Sequence, residues 1–127
     1  MIFFDASFLI AFYLKNDKYN KKAIKVWEKN KNKEKIINKT TLYEFLTVLK
    51  NKNIKKANVK KYYNEIIHNT IILEDEQLNN KAVEACLNNE LSFFDNLHHL
   101  TMVENGIKEI ASFDPAFDIF DDIKRIA

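Results

Sequence analysis

The feature that most constrains the fold of this chain is a rhythm in which short apolar, β-prone runs alternate with longer stretches whose apolar residues recur at helical spacing. The short runs are Met1 to Phe4, Ile36 to Ile37, Thr70 to Leu73 and Ile107 to Ala111, with a weaker one at Ile123 to Ile126. Between the first two, Ala23, Ile24, Val26 and Trp27 form a one-sided stripe; between the next two come Leu42, Phe45, Leu46 and Leu49. The spacing continues through Val59, Tyr62, Tyr63, Ile66 and Ile67, then Leu78, Ala82, Val83 and Leu87, then Phe93, Phe94, Leu97 and Leu100. Parallel strands need long crossovers and helices supply them. The rhythm therefore predicts an α/β fold, a mostly parallel sheet with helices on both faces. Each interval between the first four strands has room for two helical segments. A length of 127 residues with 46% hydrophobic content suits a single domain over residues 1–127.

Several function classes are excluded early. The opening MIFFDASFLIAFYL has no basic leader, is interrupted by Asp5 and is too short for a span of roughly 20 apolar residues, so it reads neither as a secretory signal nor as a membrane anchor. Gly106 and Pro115 are the only glycine and proline, which removes glycine-rich phosphate-binding loops. The lone Cys86 reads as a small buried apolar residue, and a single cysteine fits a reducing cytoplasmic location. A net charge of +2 does not by itself announce a nucleic-acid binder.

What demands explanation is the placement of acids at element ends. Asp5 directly follows the first strand and breaks an apolar run. Glu44, in TTLYEFL, falls in the first turn of the helix after the second strand, where Thr41 and Glu44 have capping-box spacing. Asp95, in ELSFFDNLHHL, starts the helix that leads to the fourth strand and stands three residues after Ser92; Gly106 closes that helix. Asp114, in ASFDPAF, follows the fourth strand. In an open parallel sheet the carboxyl ends of strands and the amino ends of helices antiparallel to them share one edge. All four acids then fall on one rim, with Asp5 and Asp114 across a crevice between the first and fourth strands. Crowded carboxylates must take up protons or be neutralised by a cation, and an all-oxygen set suits magnesium or manganese. Such ions support hydrolysis of a phosphodiester.

These stretches resemble the PIN-domain nucleases, and within them the VapC-type ribonuclease toxins of prokaryotic toxin–antitoxin pairs. FFDASFLIA is similar to the opening strand and first acid, TTLYEFLTVL to the second, LSFFDNLHHLTM to the third, and IASFDPAFDIF with IKRIA to the closing signature and last strand. The resemblance implies a three-layer α/β/α sandwich with strand order 3-2-1-4-5. It implies a metal-dependent endoribonuclease in which Asp5, Glu44, Asp95 and Asp114 bind magnesium or manganese, with Asp118 as an extra carboxylate and Ser7 and Ser112 as supporting hydrogen-bond partners. It further implies an RNA substrate, a homodimer and a VapB-like antitoxin that covers the cleft. Asn96, His98 and His99 depart from the smaller or more apolar residues expected beside Asp95.

Asp95 and His99 stand four apart, a spacing that can serve a metal, and His98 is a candidate acid or base; His68 reads as incidental. Two lysine-rich stretches, at 15 to 35 and 50 to 61, could guide a polyanion to the rim, although solvated helix faces explain them equally well. Tyr13, Tyr19, Trp27 or Phe117 could stack on bases if exposed, Trp27 being the better core residue. A different class also uses an acidic, magnesium-binding rim: a receiver-like signalling domain, whose phosphoacceptor follows the third strand, where Asp75 stands. A PIN-fold RNA-processing enzyme without a toxin role is the other alternative.

Overall fold

The computed structural model describes all 127 residues. Five short strands, β1 (Ile2–Phe4), β2 (Lys35–Asn38), β3 (Ile71–Leu73), β4 (Glu109–Ala111) and β5 (Lys124–Ile126), form one sheet in the order β3-β2-β1-β4-β5. Every pairing is parallel, with Phe3 opposite both Ile36 and Ile110, so the sheet is wholly rather than mostly parallel. Two helices fill each of the first three intervals: α1 (Ala6–Tyr13) and α2 (Asn20–Lys29), α3 (Lys39–Asn51) and α4 (Lys56–Asn69), then α5 (Asn79–Asn88) and α6 (Phe93–Glu104). The last crossover holds only a 3-10 turn, Pro115–Ile119.

Strand alternation sorts side chains to two cores. Ile2 and Phe4 of β1, Ile37 of β2 and Ala111 of β4 face Phe8, Leu9, Val26, Phe45, Leu49 and Ile66 of α1 to α4. Their neighbours Phe3, Ile36 and Ile110 face the opposite side, against Met102 of α6 and Phe117. Leu78, Ala82 and Leu97 tie α5 to α6 in a small outer cluster. The result is a three-layer sandwich. Each large apolar side chain so buried contributes roughly 1.5 to 3 kcal/mol, enough for strands of three or four residues to hold their places.

Three local expectations change. The α3 helix begins at Lys39, two residues before the expected cap, because Asn38 at the end of β2 accepts the Thr41 N–H on its side-chain oxygen at 2.9 Å. Glu44 therefore lies in the second turn, and the buried Thr41 hydroxyl has no partner. Cys86 is half-buried rather than buried. Gly106, with φ +67°, does terminate α6 in the left-handed conformation that glycine adopts without a steric penalty. The strand order also removes the receiver-like alternative. In that fold the third strand is a neighbour of the first, whereas here β3 is an edge strand beside β2. Asp75 is buried and accepts the Thr40 N–H at 2.9 Å, so it braces the start of α3.

Candidate active site

Asp5 is both a helix cap and a buried charge. At the end of β1 the backbone stays extended, and the carboxylate folds over the first turn of α1. Its Oδ1 accepts the Phe8 N–H at 2.9 Å and the Ser7 hydroxyl at 2.7 Å; its Oδ2 accepts the Ser112 hydroxyl at 2.6 Å. Each serine has one proton and gives it to Asp5, so the 3.4 Å approach between the two hydroxyls is a close contact without a hydrogen left to share. Ser112 meanwhile accepts the Asp114 N–H at 3.0 Å, and Ser7 accepts the Phe113 N–H at 3.2 Å. Residues 106 and 107 positions apart are thereby stitched across the β1–β4 junction. With only 5% of its surface exposed, Asp5 has its carboxyl pushed up by burial, and the three hydrogen bonds only partly oppose this.

Asp114 caps the 3-10 turn by accepting the Ala116 N–H at 2.9 Å, with Pro115 filling the first position that lacks a donor. Asp95 is in the first turn of α6, where Ser92 caps the helix by accepting the Asp95 N–H at 3.1 Å. Its carboxyl is also raised, by burial first and then by repulsion from Asp114; Glu44 adds to the repulsion, while Ser92 opposes it. The four acids thus sit on elements that meet at the carboxyl edge of β1, β2 and β4. As the side chains stand, no three of them converge closely enough to hold one ion.

Glu44 is governed by a network that no sequence spacing announces. His98 is 2% exposed, and its Nε2 lies 2.8 Å from Glu44 Oε1. Its Nδ1 lies 3.0 Å from the side-chain nitrogen of Asn38, which also donates to Thr101 Oγ1 at 3.1 Å. Because the Asn38 oxygen is engaged by the Thr41 N–H, its amide nitrogen must be the donor toward His98. Nδ1 is then the bare acceptor, and the ring proton sits on Nε2, directed at Glu44. The Thr101 hydroxyl passes its own proton to the Leu97 carbonyl at 2.8 Å. Both ring nitrogens are therefore engaged inside the protein, which suits His98 to holding a carboxylate rather than to exchanging protons with a substrate. Asn38 and Thr101 went unmarked in the sequence because their partners are about 60 residues away; only the N-cap preference of an asparagine before a helical run hinted at Asn38.

Other candidates are drawn elsewhere. Asp118 does not join the acids: Arg125 binds its carboxylate in a bidentate pair, at 2.9 and 3.0 Å, and holds it below the usual carboxylate range. His99 does not face Asp95; it stacks on Phe120 at 3.6 Å and bonds Asp122 at 2.8 Å. Tyr13 and Phe117 are buried, and Trp27 stacks on Phe12 and Phe4, so none of the three is free for a base. Tyr19 remains half-exposed. Ser7 and Ser112 both donate to Asp5.

A comparison with family models matches the PIN domain over residues 2–123. No curated protein sequence is similar enough to count as a relative. Among solved structures, VapC20 of Mycobacterium tuberculosis, described as a sarcin–ricin loop cleaving toxin, superposes with a TM-score of 0.82 over 97% of each chain at 22% identity. PAE2754 of Pyrobaculum aerophilum superposes with a TM-score of 0.67 at 18% identity, over 98% of this chain and 87% of that one.

Proposed function

The chain belongs to the PIN domain family, and from that premise we propose that it is a divalent-metal-dependent endoribonuclease that hydrolyses RNA phosphodiester bonds, acting as the VapC-type toxin of a toxin–antitoxin pair. The observation that carries this reading is the gathering of Asp5, Glu44, Asp95 and Asp114, from four separate elements, at one edge of the sheet, where Asp95 feels repulsion from Asp114 and Glu44. An all-carboxylate set with Asp5 and Asp95 raised by burial suits a hard divalent ion chemically, and on this reading the ion draws together carboxylates that do not converge on one centre without it. Asp5, Glu44, Asp95 and Asp114 would hold magnesium or manganese. Such an ion supplies charge neutralisation at the phosphate and a more acidic water.

The chain's own residues supply the geometry. Ser7, Ser112 and the Phe8 amide fix Asp5 in one orientation, and Ser112 links it to the backbone of Asp114. His98, itself oriented by Asn38, fixes Glu44. Preorganised acceptors of this kind need no rearrangement when charge develops on the reacting phosphate. The likeness to a chain described as a toxin, along nearly its whole length, supports the toxin role, and a homodimer, a cytoplasmic setting and a VapB-like antitoxin that covers the acids belong to the same proposal. No helix is long and apolar enough to cross a membrane.

The test is cleavage of RNA with and without magnesium or manganese by the wild type and Asp95→Asn. Metal-dependent cleavage lost in the variant supports the reading; metal-independent cleavage, or equal cleavage by the variant, overturns it. An antitoxin-like reading frame beside the gene distinguishes a toxin from a processing enzyme.

A further inference from the structure

A concavity of about 460 Å³ opens between α2 and the segment that carries Asp114. Its walls include Lys22, Lys25 and Lys29 of α2, together with Tyr19, Phe113 and Arg125. The three lysines recur at helical spacing along one stripe about 10 Å long. All three are exposed, and none of them is in a salt bridge. On the opposite wall Phe113 immediately precedes Asp114, and Arg125 donates from Nη1 to the carbonyl of Ser112 at 3.2 Å. The concavity and the acid crevice therefore share the backbone of residues 112–114: one side presents carboxylates, the other cations.

We propose that this concavity is a subsite for the phosphate backbone of single-stranded RNA next to the bond that is cleaved, an inference that rests on the nuclease reading above. Unpaired lysines on a rigid helix neutralise phosphates that the neighbouring acids repel. The aromatic wall argues for backbone rather than bases. Tyr19 is stacked on Phe113, with centroids 4.6 Å apart and planes 5° apart, and the ammonium groups of Lys18 and Lys22 stand 4.9 and 5.8 Å from the Tyr19 ring centre. The ring is already covered by a phenyl and by cations, so it has no open platform for a base. The subsite thus supplies affinity and register without reading sequence. The larger concavity of about 740 Å³, lined by Lys15, Lys52 and Lys55, is a stringent comparator, since it is also basic but borders none of the four acids in the chain.

The experiment is fluorescence anisotropy with labelled decauridylate and decaadenylate in EDTA, across a salt series. It compares the wild type with Lys22→Gln/Lys25→Gln/Lys29→Gln and with Lys15→Gln/Lys52→Gln/Lys55→Gln. Exposed substitutions of this kind leave the fold nearly unaffected, and a circular dichroism melt checks that they do. The α2 triple variant is expected to bind both oligomers on the order of tenfold more weakly at low salt, and to lose about 1.4 to 2.1 of the slope of log K against log salt, as two or three phosphate contacts require. Unchanged binding, an equal loss in the comparator, or a loss confined to one homopolymer overturns the proposal. Wild-type cleavage alongside unchanged binding by the α2 triple variant sinks the subsite and leaves the nuclease. The expected shift in binding without cleavage in any metal sinks the nuclease and leaves a backbone-binding site.

Discussion

Replacing Asn38 tests the network that holds Glu44. The residue has no exposed surface and makes three hydrogen bonds, accepting from Thr41 N–H and donating to His98 Nδ1 and Thr101 Oγ1. Serine at this position keeps a cap oxygen for the helix, but it is too short to reach His98. Asn38→Ser therefore leaves the buried Nδ1 acceptor without a donor, at about 1 to 3 kcal/mol, and removes the bond to Thr101, at about 1 kcal/mol. Asn38→Ala loses the cap as well, a further 1 kcal/mol or so. Urea denaturation should then place the serine variant about 2 to 4 kcal/mol below the wild type, with the alanine variant about 1 kcal/mol lower still and m unchanged in both. That is a large share of the 5 to 15 kcal/mol typical of a domain, so activity must be assayed well below each melting temperature. A serine variant within about 0.5 kcal/mol of the wild type would refute the argument that Asn38 donates to His98, and with it the assigned ring tautomer.

Other expectations can be checked directly. His98→Ala should reduce RNA cleavage about 10- to 100-fold with metal affinity or turnover as the affected quantity, as loss of a residue that orients a ligand does; unchanged turnover and metal response would remove it as a positioning residue. Asp5→Asn keeps an oxygen to cap α1 and should abolish cleavage while its melting temperature stays close to that of the wild type, whereas Asp5→Ala should melt lower by the loss of a cap, about 1 kcal/mol. Magnesium or manganese at about 100 times its dissociation constant should stabilise the protein by about 2.7 kcal/mol; a melt insensitive to millimolar metal counts against the acid site. Acetyl phosphate should leave Asp75 unlabelled, because its carboxylate is buried against Thr40.

Local order carried much of this protein in its sequence. A strand of three residues declares itself when Ile2 and Phe4 must face one core and Phe3 the other, and a helix does so when Phe45 and Leu49 recur on one side. Acids at element ends follow from the same reading, since an element's end is visible wherever periodicity changes, as at Asp5 and Asp114. The parallel sheet came with them, because strands separated by helices have few other ways to pair. What only the tertiary structure decided is the direction and partner of each polar side chain. Neighbours in the chain, His98 and His99, point one to Glu44 and the other to Asp122. Asp114 stays at the crevice while Asp118, four residues on, is taken by Arg125. Periodicity states which side of an element is apolar; it does not state which distant donor arrives there, and a hydrogen bond between residues 38 and 98 is satisfied or not by a rotation of a few tens of degrees and a shift of about 1 Å.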